Sequence, residues 1–140
     1  MFQLQIITLS GVFMDKEVHE VRVPTIAGPI AINKDHTALV GAIKPGILSV
    51  QFKKGDKDSE IDKIAVYDGT VEVLNNVVTI LVDDVDTPGE YSVDEAEKAL
   101  KRAQDMAKNA KDSVALAEAH SMIDRSAIRL QLANLKRHRK

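Results

Sequence analysis

The sequence predicts an α+β fold in which an antiparallel β-sandwich is followed by a two-helix hairpin. Apolar and polar residues alternate in several short segments before residue 87, whereas apolar residues recur at helical spacing after residue 88. Turn-forming residues separate the early segments at regular intervals: Gly11, Gly28-Pro29, Pro45-Gly46, Gly55-Asp56 and Asp68-Gly69. Many short strands at such spacing are typical of a sandwich or barrel. We therefore place the sandwich at 1–87 and an αα-hairpin at 88–140.

The predicted strands begin at 3–8, where polar and apolar side chains alternate. Further strands are predicted at 19–23, 61–67, 71–74 and 77–82. The last two are separated by Asn75-Asn76, and asparagine tolerates positive φ, so these residues predict a tight hairpin. The chain has three Phe, two Tyr and no Trp, so we expect a core of Val, Ile and Leu.

The predicted helices follow Thr87-Pro88-Gly89. Ser92 and Glu95 have the spacing of a capping box, in which each side chain satisfies a backbone N–H group at the helix start. The first helix is expected to bury mostly small residues: Val93, Ala96, Ala99, Leu100, Ala103, Met106 and Ala107. After a polar break at 109–112, the second is expected to bury Leu116, Ala119, Ile123, Ala127 and Leu130. Small side chains bury little area, so we expect a hairpin that can detach from the sandwich.

Composition argues against several classes of function. Cysteine is absent, which excludes disulfides and thiolate metal sites, and the four histidines lack metal-binding spacing, so no metal site is expected. The apolar run at 77–82 is too short to span a bilayer. The N-terminus has no signal-peptide pattern. Any membrane association is therefore expected to occur through partners, without direct insertion.

No catalytic motif is present. The sequence lacks a GxxxxGK[ST] phosphate loop, a GxGxxG turn and a GxSxG elbow. The acidic pair Asp83-Asp84 follows a predicted strand, where a solvated edge is favoured over an acid/base pair. We therefore expect a protein without catalytic residues, although a lone enzyme stays open as an alternative.

Charge is distributed unevenly in a chain whose net charge is −2. From Arg125 onward there are six Lys or Arg residues and no acidic residue, so the two ends are expected to meet different surfaces. The basic tail at 136–140 suits a helix C-terminus. Because residues 92–140 contain no aromatic ring for base stacking, nucleic acid is not an expected partner.

Three segments share a pattern with one known family. They are GPIAINKDH at 28–36 with AIKPG at 42–46, IAVYDGTVEV at 64–73, and NVVTILV at 76–82. In this order, and followed by a helical hairpin, they resemble the epsilon subunits of bacterial F-type ATP synthases over essentially the whole chain. The chain departs from the family at Pro29, Ala31 and Lys34, where relatives have an acid, a second Gly and a Pro. That turn is therefore expected to have a different shape here.

The resemblance implies a non-catalytic central-stalk subunit of a complex that makes ATP from ADP and phosphate, driven by an ion gradient. In such a complex the sandwich binds the gamma subunit and meets the ring of c subunits. The hairpin either folds on the sandwich or extends towards the catalytic alpha and beta subunits and inhibits ATP hydrolysis. The implied location is peripheral, at the cytoplasmic face of the bacterial cell membrane.

The resemblance also suggests partner-binding residues. Gly28, Ile32, His36 and Lys44 match family positions in the turn, in the strand that follows it and in AIKPG. For His36 two roles stay open, a contact with the rotor ring and a hydrogen bond within its own loop, and the second is favoured. Lys44 could face gamma or could simply be exposed.

Some bacterial relatives bind ATP on the folded hairpin, and this chain keeps only part of that pattern. Asp94, Arg125 and Arg129 match, but Glu97 and Gln104 stand where those relatives have arginine. A carboxylate repels a triphosphate, so ATP binding is expected to be weak or absent, and no cofactor is required. Arg125 and Arg129 are equally consistent with a solvated basic face or with binding of the catalytic subunits. The alternative function is a small nucleotide-sensing module.

Overall fold

The computed structural model describes residues 1–89 and 91–138, with side chains up to Leu135 in the last helix. The strands within these residues are β1 (Phe2–Thr8), β2 (Gly11–Val18), β3 (Glu20–Thr25), β4 (Gly28–Ile32), β5 (Leu39–Ile43), β6 (Gly46–Gln51), β7 (Asp62–Val66), β8 (Gly69–Leu74), β9 (Val77–Val82) and β10 (Val85–Asp86). A 3₁₀ turn spans Asp58–Glu60, and the helices are α1 (Val93–Lys108) and α2 (Ser113–His138). The chain forms two compact units, Met1–Asp86 and Thr87–Lys140.

The strands of the first unit form one continuous sheet. Their order is β10-β7-β6-β3-β5-β8-β9-β1-β2, and β4 attaches to β3. The pairs are antiparallel, as predicted, except that β1 and β9 are parallel. Parallel neighbours need a long crossover connection. Here β2 to β8 supply it, so the first strand closes against one of the last.

The sheet encloses a single core. Leu4 and Ile6 of β1 belong to the same buried cluster as Leu48 of β6 and Ile64 of β7, although these strands stand far apart in the strand order. The sheet must therefore fold over on itself, as in the predicted sandwich. The largest fully buried side chains are Tyr67, Leu, Ile and Val, in agreement with a core poor in aromatic rings.

The five predicted strands form, with ends shifted by at most two residues, whereas β2, β4, β5, β6 and β10 were not among the predicted strands. The Asn75-Asn76 hairpin also forms as predicted, with φ of 50° and 61° at the two residues. The sequence pattern does not predict β2 because only Val18 of this strand is fully buried, so no alternation marks it. That strand lies at the edge of the sheet, where one neighbour and much solvent weaken the pattern.

The second unit is the predicted helical hairpin. The Ser92 side chain accepts a hydrogen bond from the Glu95 amide at 3.1 Å and caps α1 as expected. The Glu95 carboxylate accepts a bond from the Ser92 hydroxyl at 3.2 Å, whereas the predicted capping box has it accept from the Ser92 backbone amide. Asp112 caps α2 in the same manner, accepting a bond from the Ala115 amide at 2.7 Å.

The buried stripe of α2 differs from the expected one. Ala119 is buried as predicted, but Leu116 and Ala127 are exposed, and Ser126 and Ala133 are buried. The buried small residues therefore recur every seven positions at 119, 126 and 133, and likewise at Ala96 and Ala103 of α1. Seven-residue spacing keeps one seam facing the partner helix. A polar Ser within the seam hides this spacing from a search for apolar residues.

Candidate functional site

The loop between β4 and β5, residues 33–38, carries His36. This side chain is half-buried, and its Nδ1 donates a hydrogen bond to the Thr37 carbonyl oxygen at 2.8 Å. Its imidazole thus makes a hydrogen bond within its own loop, and a contact with the rotor ring stays a prediction.

The same loop is joined to the turn between β8 and β9. The carboxamide of Asn76 accepts a hydrogen bond from the Asp35 amide at 2.6 Å and donates one to the Asp35 carboxylate at 3.0 Å. We call this pair of bonds the Asp35–Asn76 clasp. Sequence analysis did not find it, because the two residues lie 41 positions apart.

Gly28 and Lys44 lie together, but away from His36. Thr25 of β3 pairs with Ile43 at the end of β5, and the Thr25 hydroxyl donates a hydrogen bond to the Gly28 carbonyl oxygen. The Lys44 amide donates to the Pro24 carbonyl oxygen at 2.9 Å, and its side chain is exposed. Because the His36 loop precedes the start of β5, the suggested partner residues occupy two separate places on the unit.

The prediction that Ile32 binds a partner is wrong. Its side chain is fully buried in the core of the sandwich, where it faces Val21 in the neighbouring strand. A fully buried side chain has no surface to offer a partner, so Ile32 supports the fold and does not bind directly. Its match to the family pattern therefore has a structural cause.

The outer surface of the sheet carries an apolar row on three adjacent strands. Val12 of β2 pairs with Ile7 of β1, and Ile7 pairs with Leu81 of β9. Val12 is 66% exposed and Leu81 is 49% exposed. We call Val12, Ile7 and Leu81 the outer row. A sequence signal for it existed: β9 is VVTILV, so apolar residues fall on both of its faces.

A shallow cleft on the other half of the sheet is charge-balanced. It has a volume of about 190 Å³ and contains two basic side chains, Arg22 and Lys63. The Arg22 Nε pairs with Glu20 at 3.1 Å, and the Lys63 Nζ pairs with Asp58 at 2.9 Å. The cleft therefore offers a small anion little uncompensated positive charge.

The residues of the suggested nucleotide site lie on both helices of the hairpin, Asp94 on α1 and Arg125 and Arg129, both half-buried, on α2. The Arg129 guanidinium lies 4.8 Å from the centre of the Tyr91 ring, just before the start of α1, and Asp94 is exposed in the first turn of that helix. Glu97 and Gln104 are exposed on α1. Arg129 thus stacks on an aromatic ring that the sequence analysis did not connect with it.

The remaining predictions concern the basic tail, a metal site and a membrane-spanning helix. The side chains of the basic tail at 136–140 lie outside them. Within them, no group of His, Asp or Glu side chains could hold a metal ion. None of the helices among the described residues is both long enough and apolar enough to cross a bilayer.

Comparison with known proteins identifies the family. The family model of the beta-sandwich domain of the ATP synthase delta/epsilon chain matches residues 1–88. An ATP synthase epsilon chain of Herpetosiphon aurantiacus is 32% identical over 137 residues, covering 98% of this chain and 97% of that protein. An epsilon chain of Staphylococcus aureus is 34% identical over 134 residues, covering 95% and 96%.

Solved structures share the fold. A chain of the Euglena gracilis mitochondrial ATP synthase, in a structure of OSCP, F1 and c-ring, matches with a TM-score of 0.80 at 20% identity, covering 94% of this chain and 79% of that chain. A chain of the Tetrahymena thermophila central stalk and c-ring matches with a TM-score of 0.59 at 18% identity, covering 96% and 95%. The matches in sequence and in fold thus extend over nearly the whole length, and the chain belongs to the ATP synthase epsilon-chain family, whose members are non-catalytic subunits of the synthase.

Proposed function

We propose that this chain is a central-stalk subunit that couples the catalytic head of a rotary ATP synthase to its membrane ring. The observation that carries the proposal is the outer row, an exposed apolar surface on a sandwich whose family assembles into the synthase. Exposed apolar side chains in register across three strands are typical of a protein–protein interface. The solved relatives come from structures that include the central stalk or the c-ring.

The gamma subunit is the proposed occupant of the outer row. Leu9, in the turn between β1 and β2, is 85% exposed and extends the apolar surface beyond Val12. At about 25 cal/mol per Å² of apolar surface removed from water, covering several such side chains contributes a few kcal/mol to binding. In the proposed complex the sandwich alone supplies this contact.

The ring of c subunits is the proposed partner of the 33–38 loop. The loop lies at the end of the sheet where β8 turns into β9, and His36 and Asp35 lie within it. The location that follows is peripheral, at the cytoplasmic face of the cell membrane. Attachment to the membrane then depends on the ring and not on a segment of this chain.

The hairpin is proposed to restrain ATP hydrolysis by extending towards the alpha and beta subunits. Its helices contact each other through small residues such as Ala103, Ala119 and Ser126, each of which buries little area. ATP is proposed to bind it weakly or not at all, since Glu97 places a carboxylate where a triphosphate would need a cation. No cofactor is required for either role.

The test compares binding of gamma by three forms of the chain. A fragment of residues 1–86 should bind gamma as the full chain does, because the first compact unit contains the outer row. Val12→Glu should weaken binding about tenfold or more, since a charge at an apolar contact must be desolvated. The matched control is Val114→Glu on α2, where the exposed fraction is 67% against 66% for Val12.

Gamma affinity is measured by calorimetry with purified gamma, and folding of each variant by circular dichroism. Equal losses for Val12→Glu and Val114→Glu would show that added charge, and not the outer row, disturbs binding. If the fragment of residues 1–86 is folded but does not bind gamma, the assignment of gamma binding to the sandwich is wrong.

A further inference from the structure

The Asp35–Asn76 clasp joins two segments whose backbone conformations are both unusual. Asp35 has φ of 62° and Asn76 has φ of 61°, in the left-handed region that side chains other than glycine seldom adopt. Asparagine and aspartate tolerate this region best, because their short polar side chains bond locally. Asp35 and Asn76 are therefore residue types that tolerate the positive φ at their positions, and their side chains also bond to each other.

The clasp fixes the loop with two bonds from one carboxamide. Asn76 uses its oxygen to accept from the Asp35 amide and its nitrogen to donate to the Asp35 carboxylate. Two bonds in this arrangement restrict both the distance and the orientation of the loop, and the bond to a carboxylate is charge-assisted. Asp35 could not move away without losing both.

The turn that provides the carboxamide is itself held on the sheet. The Asn76 carbonyl oxygen accepts a hydrogen bond from the Gln3 amide of β1 at 3.0 Å. Val77 follows at once in β9, which lies between β8 and β1. The loop is thus attached through Asn76 to strands that do not adjoin it in sequence.

We propose that Asn76 is a positioning residue for the partner-binding loop at 33–38. By holding Asp35, it presents the loop to the ring of c subunits in one conformation, so that the loop need not be ordered on contact. Ordering a residue's backbone costs roughly 1–2 kcal/mol, and a preordered loop avoids that cost. This inference rests on the proposed function, because it assigns the loop to the ring.

The first measurement concerns the clasp itself in the isolated full chain. Asn76→Gly removes the carboxamide while allowing the positive φ, and it leaves Asn-Gly, a favoured hairpin turn. The Asp35 amide should then exchange with solvent about fivefold faster, as expected for one lost hydrogen bond of roughly 1 kcal/mol. Asn75→Gly is the matched control, because it makes the same change one residue earlier, at φ of 50°.

Replacing Asp35 by Asn tests whether the clasp needs the negative charge of the carboxylate or only an oxygen that accepts the bond from Asn76. Asp35→Asn keeps the main-chain amide and a side-chain oxygen that can accept from Asn76, so exchange should stay within about threefold of the original rate if only a charge-assisted bond is weakened. Asp35→Gly keeps the backbone conformation and the amide bond to Asn76 but removes the carboxylate acceptor, so exchange should rise, though less than in Asn76→Gly, which removes both bonds. Unchanged exchange in Asn76→Gly would overturn the clasp as the element that holds the loop.

The second measurement concerns coupling in the reconstituted complex. Asn76→Gly should lower the ions pumped per ATP hydrolysed by up to about fivefold, because the loss of roughly 1 kcal/mol lowers the ratio of ordered to disordered loop by that factor, while gamma affinity stays unchanged. Asn75→Gly should leave both values unchanged. Faster exchange of the loop with unchanged coupling would overturn its positioning role. Coupling that is the same with and without the wild-type chain would instead overturn the proposed function.

Discussion

Gly69, the first residue of β8, shows how a single position can fix the distance between two strands. A Cβ atom built at this residue would lie 2.1 Å from the Leu81 carbonyl oxygen and 2.7 Å from a methyl carbon of Val82. The contact with Leu81 is with the backbone, so no side-chain rotation relieves it. Glycine is therefore required here for the close approach of β8 to β9, and not for a left-handed conformation.

Gly69→Ala should lower the free energy of unfolding by about 1–3 kcal/mol, the usual cost of forcing an added carbon into a packed site. Gly41→Ala in β5 is the matched control, because its added carbon would meet Val71 at an ordinary 3.5 Å. Urea unfolding of both variants, followed by circular dichroism, measures the difference. Equal stability of the two variants would show that β8 and β9 separate easily.

Contacts between distant residues mark the limit of sequence analysis at this scale. Tyr67 and Asp86 are both buried, and the Tyr67 hydroxyl donates a hydrogen bond to the Asp86 carboxylate. Asp35 and Asn76 form the clasp across 41 positions. Asp35 and Asn76 suit their own turns, since turns favour Asp and Asn. Which of them meet depends on the fold, because local patterns carry no information about such pairs.

Strands with one buried and one solvated face were predictable from alternation. β1 has buried Phe2, Leu4 and Ile6 between partly exposed residues, as its sequence indicates. β2 was not predicted, because Val18 alone is fully buried in it. β4, β5 and β6 were not predicted either, although buried residues alternate along β6. In β9 apolar residues lie on both faces. This pattern indicates that the outer face of the strand carries part of the outer row.

Helix ends were predictable for a related reason. Ser92 caps α1 through a bond to the amide three residues on, a short-range contact that depends only on local sequence. The buried face of α2 depends on α1, and there the prediction of Leu116 and Ala127 was wrong. Ser126 is buried because a small side chain permits close approach of the helices, and its size matters more than its polarity.

The hairpin should bind ATP poorly, because two side chains of α1 lack the positive charge that the phosphates need. Calorimetric titration of the full chain should show no binding at low micromolar ATP, because Glu97 and Gln104 provide no positive charge for the phosphates. Glu97→Arg with Gln104→Arg should raise the affinity by about tenfold or more if the remaining site is intact. Both positions are exposed, so the replacements are compatible with folding.

A second pair of replacements controls for net charge in that titration. Glu118→Arg with Gln131→Arg makes the same two changes at exposed positions of α2. If it raises ATP affinity as much as the α1 pair, the gain comes from charge alone and not from a site. Tight binding by the unchanged chain would favour the nucleotide-sensing alternative.

At the scale of the whole chain, two units of different character share one sequence. The unit Met1–Asp86 is a sheet with a Val, Ile and Leu core, whereas Thr87–Lys140 is a hairpin with small residues in its seam. Up to residue 92 acidic residues outnumber basic ones, whereas from Arg125 onward basic residues stand without acids. This division was predictable because hydrophobic period and charge are both properties of whole segments.

The basic end of the hairpin leads to a prediction about inhibition. If hydrolysis is restrained by the extended hairpin approaching an acidic surface of the catalytic subunits, Arg125→Glu with Arg129→Glu should relieve it. Exposed pairs contribute about 0.2–1 kcal/mol each, so two reversals can shift a balanced equilibrium severalfold. The effect should be larger at low salt than at high salt, since ions screen such pairs. Synthesis should change less.

Arg129 also stacks on Tyr91, so the test must separate charge from packing. Tyr91→Leu removes the ring and keeps both arginines, and Lys101→Glu with Arg102→Glu reverses two exposed charges on α1. Hydrolysis is measured in complexes reconstituted with each variant and with residues 1–86 at two salt concentrations. Only the Arg125 and Arg129 reversal and the truncation should raise it. Relief by truncation alone means that the hairpin inhibits by its shape. If hydrolysis does not change even with the truncated chain, the hairpin does not inhibit, because no restraint was present to be released.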